Sequence, residues 1–169
     1  MSEIINRVAS SPIITINLEE LYPREERVVF DIKPFLLQEL ILREKDFRAA
    51  LKDIDWSQYE NKWVAITCSA DAIVPNWAFM LVATYLDSIA LGYAIGDLKE
   101  LEVMITEDCL KNLDLDSFTD RPVVVKGCSD FPIPLFAYGK IISLVKSRAK
   151  AIMYGEPCST VPLYKKQKS

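Results

Sequence analysis

Trp63-Val-Ala-Ile-Thr-Cys68-Ser-Ala-Asp-Ala-Ile-Val-Pro75 and Pro122-Val-Val-Val-Lys-Gly-Cys128-Ser-Asp-Phe-Pro-Ile-Pro134 follow one pattern. In each, a short β-branched run ends at a cysteine, and a proline then opens an apolar segment. From Cys68 to Pro75 and from Cys128 to Pro134 the two stretches match with one residue deleted. Downstream, Pro75 and Gly96 stand 21 positions apart, and so do Pro134 and Gly155. Each glycine is followed by an acid, Asp97 or Glu156. Agreement at both ends of an apolar segment marks an internal repeat, 63–97 and 122–156.

Trp63–Thr67 and Val123–Lys126 read as strands, Asn76–Ala90 and Leu135–Lys150 as helices. Leu91–Ile95 and Ala151–Tyr154 read as the strands that close each repeat. Strand–helix–strand units imply parallel strands with right-handed crossovers. Ligands of such sheets bind beyond the carboxyl ends of the strands.

Ahead of the repeat, Ile13–Leu18 and Arg27–Ile32 are two further β-branched runs, separated by a short gap containing Pro23 and charged residues. So short a connection suggests an antiparallel pair. Pro34 suits a first helical turn, and Leu36, Leu40, Phe47 and Leu51 fall at helical spacing, so a helix is expected to run to about Lys52. Leu98–Asn112 reads as another helix, and Leu113–Arg121 as an Asp-rich linker. The expected fold is α/β: one mixed sheet with antiparallel N-terminal strands and parallel strands from the repeat. The 169 residues suit a single domain, 1–169, with 163–169 as a flexible tail.

Composition narrows the chemistry. Histidine is absent, which excludes Ser-His-Asp and Cys-His catalysis and every His-ligated metal site. The net charge of −4 argues against a nucleic-acid partner, whose binders carry a basic patch. Met1–Ser11 lacks the apolar stretch of a secretory signal, and no apolar run is long enough to span a bilayer. A cytoplasmic protein is expected, with its four cysteines reduced rather than forming a disulfide framework. No Gly-rich phosphate loop is present. Asp114, Asp116 and Asp120 lack the Gly and terminal Glu of a calcium loop and read as solvated charge. Trp and Tyr residues near the centre of the chain would permit a homodimer.

Cys68 and Cys128 each follow a strand and precede a helix, and Cys158 follows a third strand. In one parallel sheet all three would face one edge. Thiolates suit zinc or an iron–sulfur cluster, so Cys68, Cys128 and Cys158 are candidate ligands. Asp71 or Asp130 would supply a further oxygen ligand or hydrogen-bond acceptor. Helix N-termini after Pro75 and Pro134 would also favour thiolates, which opens a second reading as a thiol redox or sulfur-transfer enzyme. A third is a non-catalytic partner-binding module with structural cysteines. Cys109, in steps of four from Leu101 and Ile105, reads as a packing thiol.

Asp31-Ile-Lys-Pro-Phe-Leu-Leu-Gln-Glu-Leu-Ile-Leu-Arg-Glu-Lys-Asp-Phe-Arg48, Cys68-Ser-Ala-Asp-Ala-Ile-Val-Pro75, Lys126-Gly-Cys128 and Gly155-Glu-Pro-Cys-Ser-Thr-Val-Pro162 resemble an uncharacterised bacterial family, domain of unknown function 2480. The resemblance covers nearly the whole chain. It implies no established activity. It does imply a genomic association with iron–sulfur cluster assembly, and hence a protein partner there.

Overall fold

The computed structural model describes residues 13–127, 131, 133–156 and 158–167. Its strands are β1 (Ile14–Asn17), β2 (Arg27–Asp31), β3 (Trp63–Thr67), β4 (Gly92–Ile95), β5 (Pro122–Lys126), β6 (Ala151–Glu156) and β7 (Ser159–Lys165). Its helices are α1 (Leu18–Leu21), α2 (Glu44–Lys52), α3 (Asn76–Leu86), α4 (Leu98–Lys111) and α5 (Leu135–Val145). Short 3-10 turns occupy Lys33–Phe35, Trp56–Tyr59 and Leu115–Phe118.

The α/β class holds, and so do the parallel strands of the repeat. There are two sheets, however, and the chain divides into two compact units. The inner unit is contiguous, Arg24–Ile105, and the outer unit is Met1–Pro23 with Thr106–Ser169. The inner unit is thus inserted into the outer one.

In the inner unit the sheet order is β2-β3-β4, parallel throughout. Phe30, Ile32, Phe47, Leu51, Val64, Ile66, Ala78, Val82 and Leu86 form its core. In the outer unit the order is β1-β5-β6-β7, with β1, β5 and β6 parallel and β7 antiparallel to β6. Ile16, Leu18, Leu110, Val123, Val125, Ala137, Ile141, Val145 and Ile152 are at its centre.

The expected antiparallel pairing of the first two strands does not form. β1 pairs with β5 and β2 with β3, each in parallel. Every strand needs a partner with a buried face, and each unit completes its own sheet from a different N-terminal strand. The expected helix from Pro34 is also replaced: a 3-10 turn at Lys33–Phe35 gives way to loop, and α2 starts only at Glu44. Gln38 and Glu39 take left-handed φ values of 51° and 58°, which a helix cannot continue through. Leu40 and Ile41, each 60% exposed, have no core to face. The expected tail is structured through Lys165, because β7 runs back along β6.

The duplication reaches beyond the repeat seen in the sequence. Trp63 pairs with Gly92 in one ladder and Pro122 with Ala151 in the other, so residues 59 positions apart occupy the same places. No deletion is needed. Buried Leu51, Val64, Ile66, Ala78, Val82 and Leu86 correspond to buried Leu110, Val123, Val125, Ala137, Ile141 and Val145. The turns correspond too. Asp55 and Asp114 each cap a 3-10 turn by accepting from the backbone N–H two residues on. Asn61 and Asp120 each turn left-handed just before a central strand, at φ 57° and 55°. Asn and Asp tolerate that conformation better than other non-glycine residues.

Candidate functional site

The inner unit opens a groove at the carboxyl ends of β3 and β4. It has a volume of about 430 Å³ and is lined by Ile66, Thr67, Cys68, Val74, Phe79 and Ile95 among others. Parallel strands all end on one edge, so this is where the sheet itself leaves room for a ligand. Cys68 is half-buried, and its Sγ donates to the carbonyl of Ala70 at 3.9 Å. Asp71 is exposed.

The segment around Cys68 is held on both sides. Ahead of it, the Ile32 N–H donates to the Thr67 carbonyl at 2.8 Å, and the Gly96 N–H donates to the Ile66 carbonyl at 2.9 Å. Behind it, Ser69 donates its N–H to Asp31 Oδ1 at 2.9 Å and its hydroxyl to Asp31 Oδ2 at 2.5 Å. Asp31 Oδ1 also accepts from the Lys33 N–H at 2.9 Å. Burial pushes the Asp31 carboxyl up, but the hydrogen bonds from Ser69 and Lys33, with the Lys33 charge, outweigh it and hold the group below the usual aspartate value.

The same edge of the outer unit is built differently. The place of Cys68 is taken by Gly127, with Tyr138 for Phe79 and Tyr154 for Ile95. The two tyrosine rings meet edge to face at 5.9 Å. A Cβ on Gly127 would lie 2.6 Å from the Tyr138 hydroxyl and 2.8 Å from that of Tyr154. The phenols therefore close over the bare Cα, where the inner unit has a thiol beside open space. Lys126 Nζ pairs with Glu156 at 2.9 Å and joins the ends of β5 and β6. That hydrogen bond and charge raise the lysine above its ordinary value.

Cys158 is exposed in the turn between β6 and β7, in the outer unit. Gly155 enters this hairpin at φ 120°, and a Cβ there would lie 2.7 Å from the Ser159 carbonyl oxygen. Cys128 and Asp130 lie outside the described residues. The expectation that Cys68 and Cys158 face one edge of a single sheet is corrected, since they follow strands of two different sheets. Among the described residues, no group of three Cys, Asp or Glu side chains is placed to hold a metal ion. Cys109 sits on α4 and lines a small apolar hollow with Leu18, Leu21 and Leu110, as a packing residue would.

Sequence reading missed Asp31, Phe79, Tyr138 and Tyr154. Aligning the halves without a gap would have exposed the Cys68–Gly127 and Phe79–Tyr138 contrasts. No helix among the described residues is long and apolar enough to cross a membrane. No curated protein and no solved structure matches the chain. A family model does match, over residues 2–166, and the chain accordingly belongs to the family described as protein of unknown function DUF2480.

Proposed function

We propose that the protein acts through the thiol of Cys68, as a thiol redox or sulfur-transfer protein. The supporting observation is the place of that thiol: at the carboxyl end of a central parallel strand, half-buried, beside a groove of about 430 Å³. In the sulfur-transfer form, the Cys68 thiolate attacks the outer sulfur of a donor persulfide. The donor's S–S bond breaks, its thiolate leaves, and a new S–S bond on Cys68 carries the transferred sulfur. A reducing compartment such as the cytoplasm would keep the thiol available.

The test is alkylation of the folded chain by iodoacetamide near neutral pH, followed cysteine by cysteine by mass spectrometry. Cys68 should react about tenfold faster than the packing thiol Cys109, because reactivity follows thiolate character and access. Equal, slow rates at all cysteines would remove the reading.

A second reading, metal binding, draws on the outer unit. The Lys126–Glu156 pair ties together the ends of the two parallel strands that lead to Cys128 and Cys158. On this reading zinc or iron is bound by thiolates of the outer unit, Cys128 and Cys158, with Asp130, and the protein assists iron–sulfur cluster assembly with a protein partner; Cys68 and Asp71 belong to the inner unit. Thiolate ligands fit either ion. Elemental analysis of protein purified without chelator should then find zinc or iron. Protein that is metal-free, and takes up neither ion when supplied, would sink this reading.

A further inference from the structure

We infer that Asp31 is the positioning residue of the Cys68 site, bracing the loop that follows the thiol against the end of the neighbouring strand. The inference rests on the reading of Cys68 as the functional group. Asp31 ends β2 and lies opposite Thr67 in the β2–β3 ladder, so its carboxylate stands beside the point where β3 runs into Cys68. Two of its three hydrogen bonds reach across to Ser69, the residue after the thiol. The third holds its own chain at Lys33. Together with the bond from Ile32 to Thr67, this pins the residues on either side of Cys68 to one strand end.

The outer unit supplies the contrast. Its counterpart of Asp31 is Asn17, which also ends a first strand and also accepts from the N–H two residues on, at 3.2 Å. Its amide donates to Glu20, within its own turn. Turn formation alone is therefore met by an amide. A carboxylate, which accepts at both oxygens, is what lets Asp31 take the Ser69 N–H and hydroxyl together. Charge-assisted bonds of this kind are about twice as strong as neutral ones.

The experiment compares the full-length native chain with Asp31→Ala, Asp31→Asn and Ser69→Ala, reading the ratio of iodoacetamide rates at Cys68 and Cys158. Cys158, exposed in the other unit, is the internal reference. Asp31→Ala should change the ratio about tenfold, the scale of losing bonds to a charged group. Ser69→Ala, which removes only the hydroxyl bond, should change it about threefold in the same direction. Asp31→Asn still accepts both N–H groups through one oxygen but loses the second acceptor and the charge, so its ratio should lie between those of Asp31→Ala and the native chain, near that of Ser69→Ala. A native ratio in folded Asp31→Ala would overturn the inference, as would equal changes at both cysteines. If Asp31→Ala does not fold, an unchanged ratio in Ser69→Ala overturns it instead. Failure of the underlying reading shows separately, as a native Cys68 no faster than Cys109, whatever the variants do.

Discussion

The two units of this chain share a skeleton and differ at its working edge. Both have three parallel strands, a helix opened by proline, a 3-10 turn capped by aspartate and a left-handed Asn or Asp before the central strand. Most core positions correspond along the repeat, with Val82 matched by Ile141 and Leu86 by Val145. At the strand ends the correspondence stops. The inner unit places a thiol beside open space; the outer unit fills the same place with two phenols over a glycine and covers β6 with β7. Packing constrains the inside of both units alike, whereas strand-end residues can change without disturbing the ladder. The thiol of the inner unit and the two phenols of the outer unit are the chemical contrast between these matching strand ends.

The largest expected effect tests the shared skeleton. Leu86→Ala removes a fully buried side chain and should cost about 2–5 kcal/mol in urea unfolding. Hydrogen exchange should show the loss mainly across 24–105 if the units have separate cores. A uniform loss across both would break that comparison and favour one cooperative domain.

Gly127→Ala comes next. The added methyl meets both tyrosine hydroxyls and should cost about 1–3 kcal/mol, as overpacking does. Adding Tyr138→Phe should recover part of it, since Phe is what the inner unit carries at that position. No recovery would mean that the phenols do not set the requirement for glycine. Gly139→Ala, in the interior of α5, should act oppositely. Nothing lies within 4 Å of the new methyl, so it should stabilise by about 0.5–1 kcal/mol, measured by thermal unfolding.

The smallest effect concerns Asp31. Its carboxyl titrates lower in the folded chain than an unperturbed aspartate, so the folded state binds that proton less readily than the unfolded one. The resulting stability is fully present above the unfolded aspartate pKa of about 3.9 and fades as pH falls through the lower folded value. The stability gap between native protein and Asp31→Asn should therefore shrink on acidification. A gap independent of pH would remove the charge from the explanation.

Much of the fold was legible because proline and glycine punctuate both repeats at equal spacing. Equal spacing also held the finer register, but matching Cys68 to Cys128 required a deletion that the ladders do not contain. The thiol residues were visible as residues, while their distribution over two sheets was not. Parallel partners are chosen across long separations by buried faces, and a short gap between two β-branched runs mimics a hairpin. The apolar spacing of Leu36 and Leu40 similarly mimicked a helix that left-handed backbone at Gln38 and Glu39 prevents. β7 escaped notice because its exposed residues alternate weakly and Pro162 lies within it.

Insertion of one unit within the other sets a timetable for synthesis. All of 24–105 leaves the ribosome as an uninterrupted stretch and can close its sheet at once. β1 cannot: Ile14 waits for Val123, about a hundred residues later, which at roughly 5–20 residues per second is a delay of roughly 5–20 s. During that interval Ile14 and Ile16 have no sheet to join, so β1, made before the other described strands, is among the last to be secured, and the nascent chain is vulnerable to misassociation there.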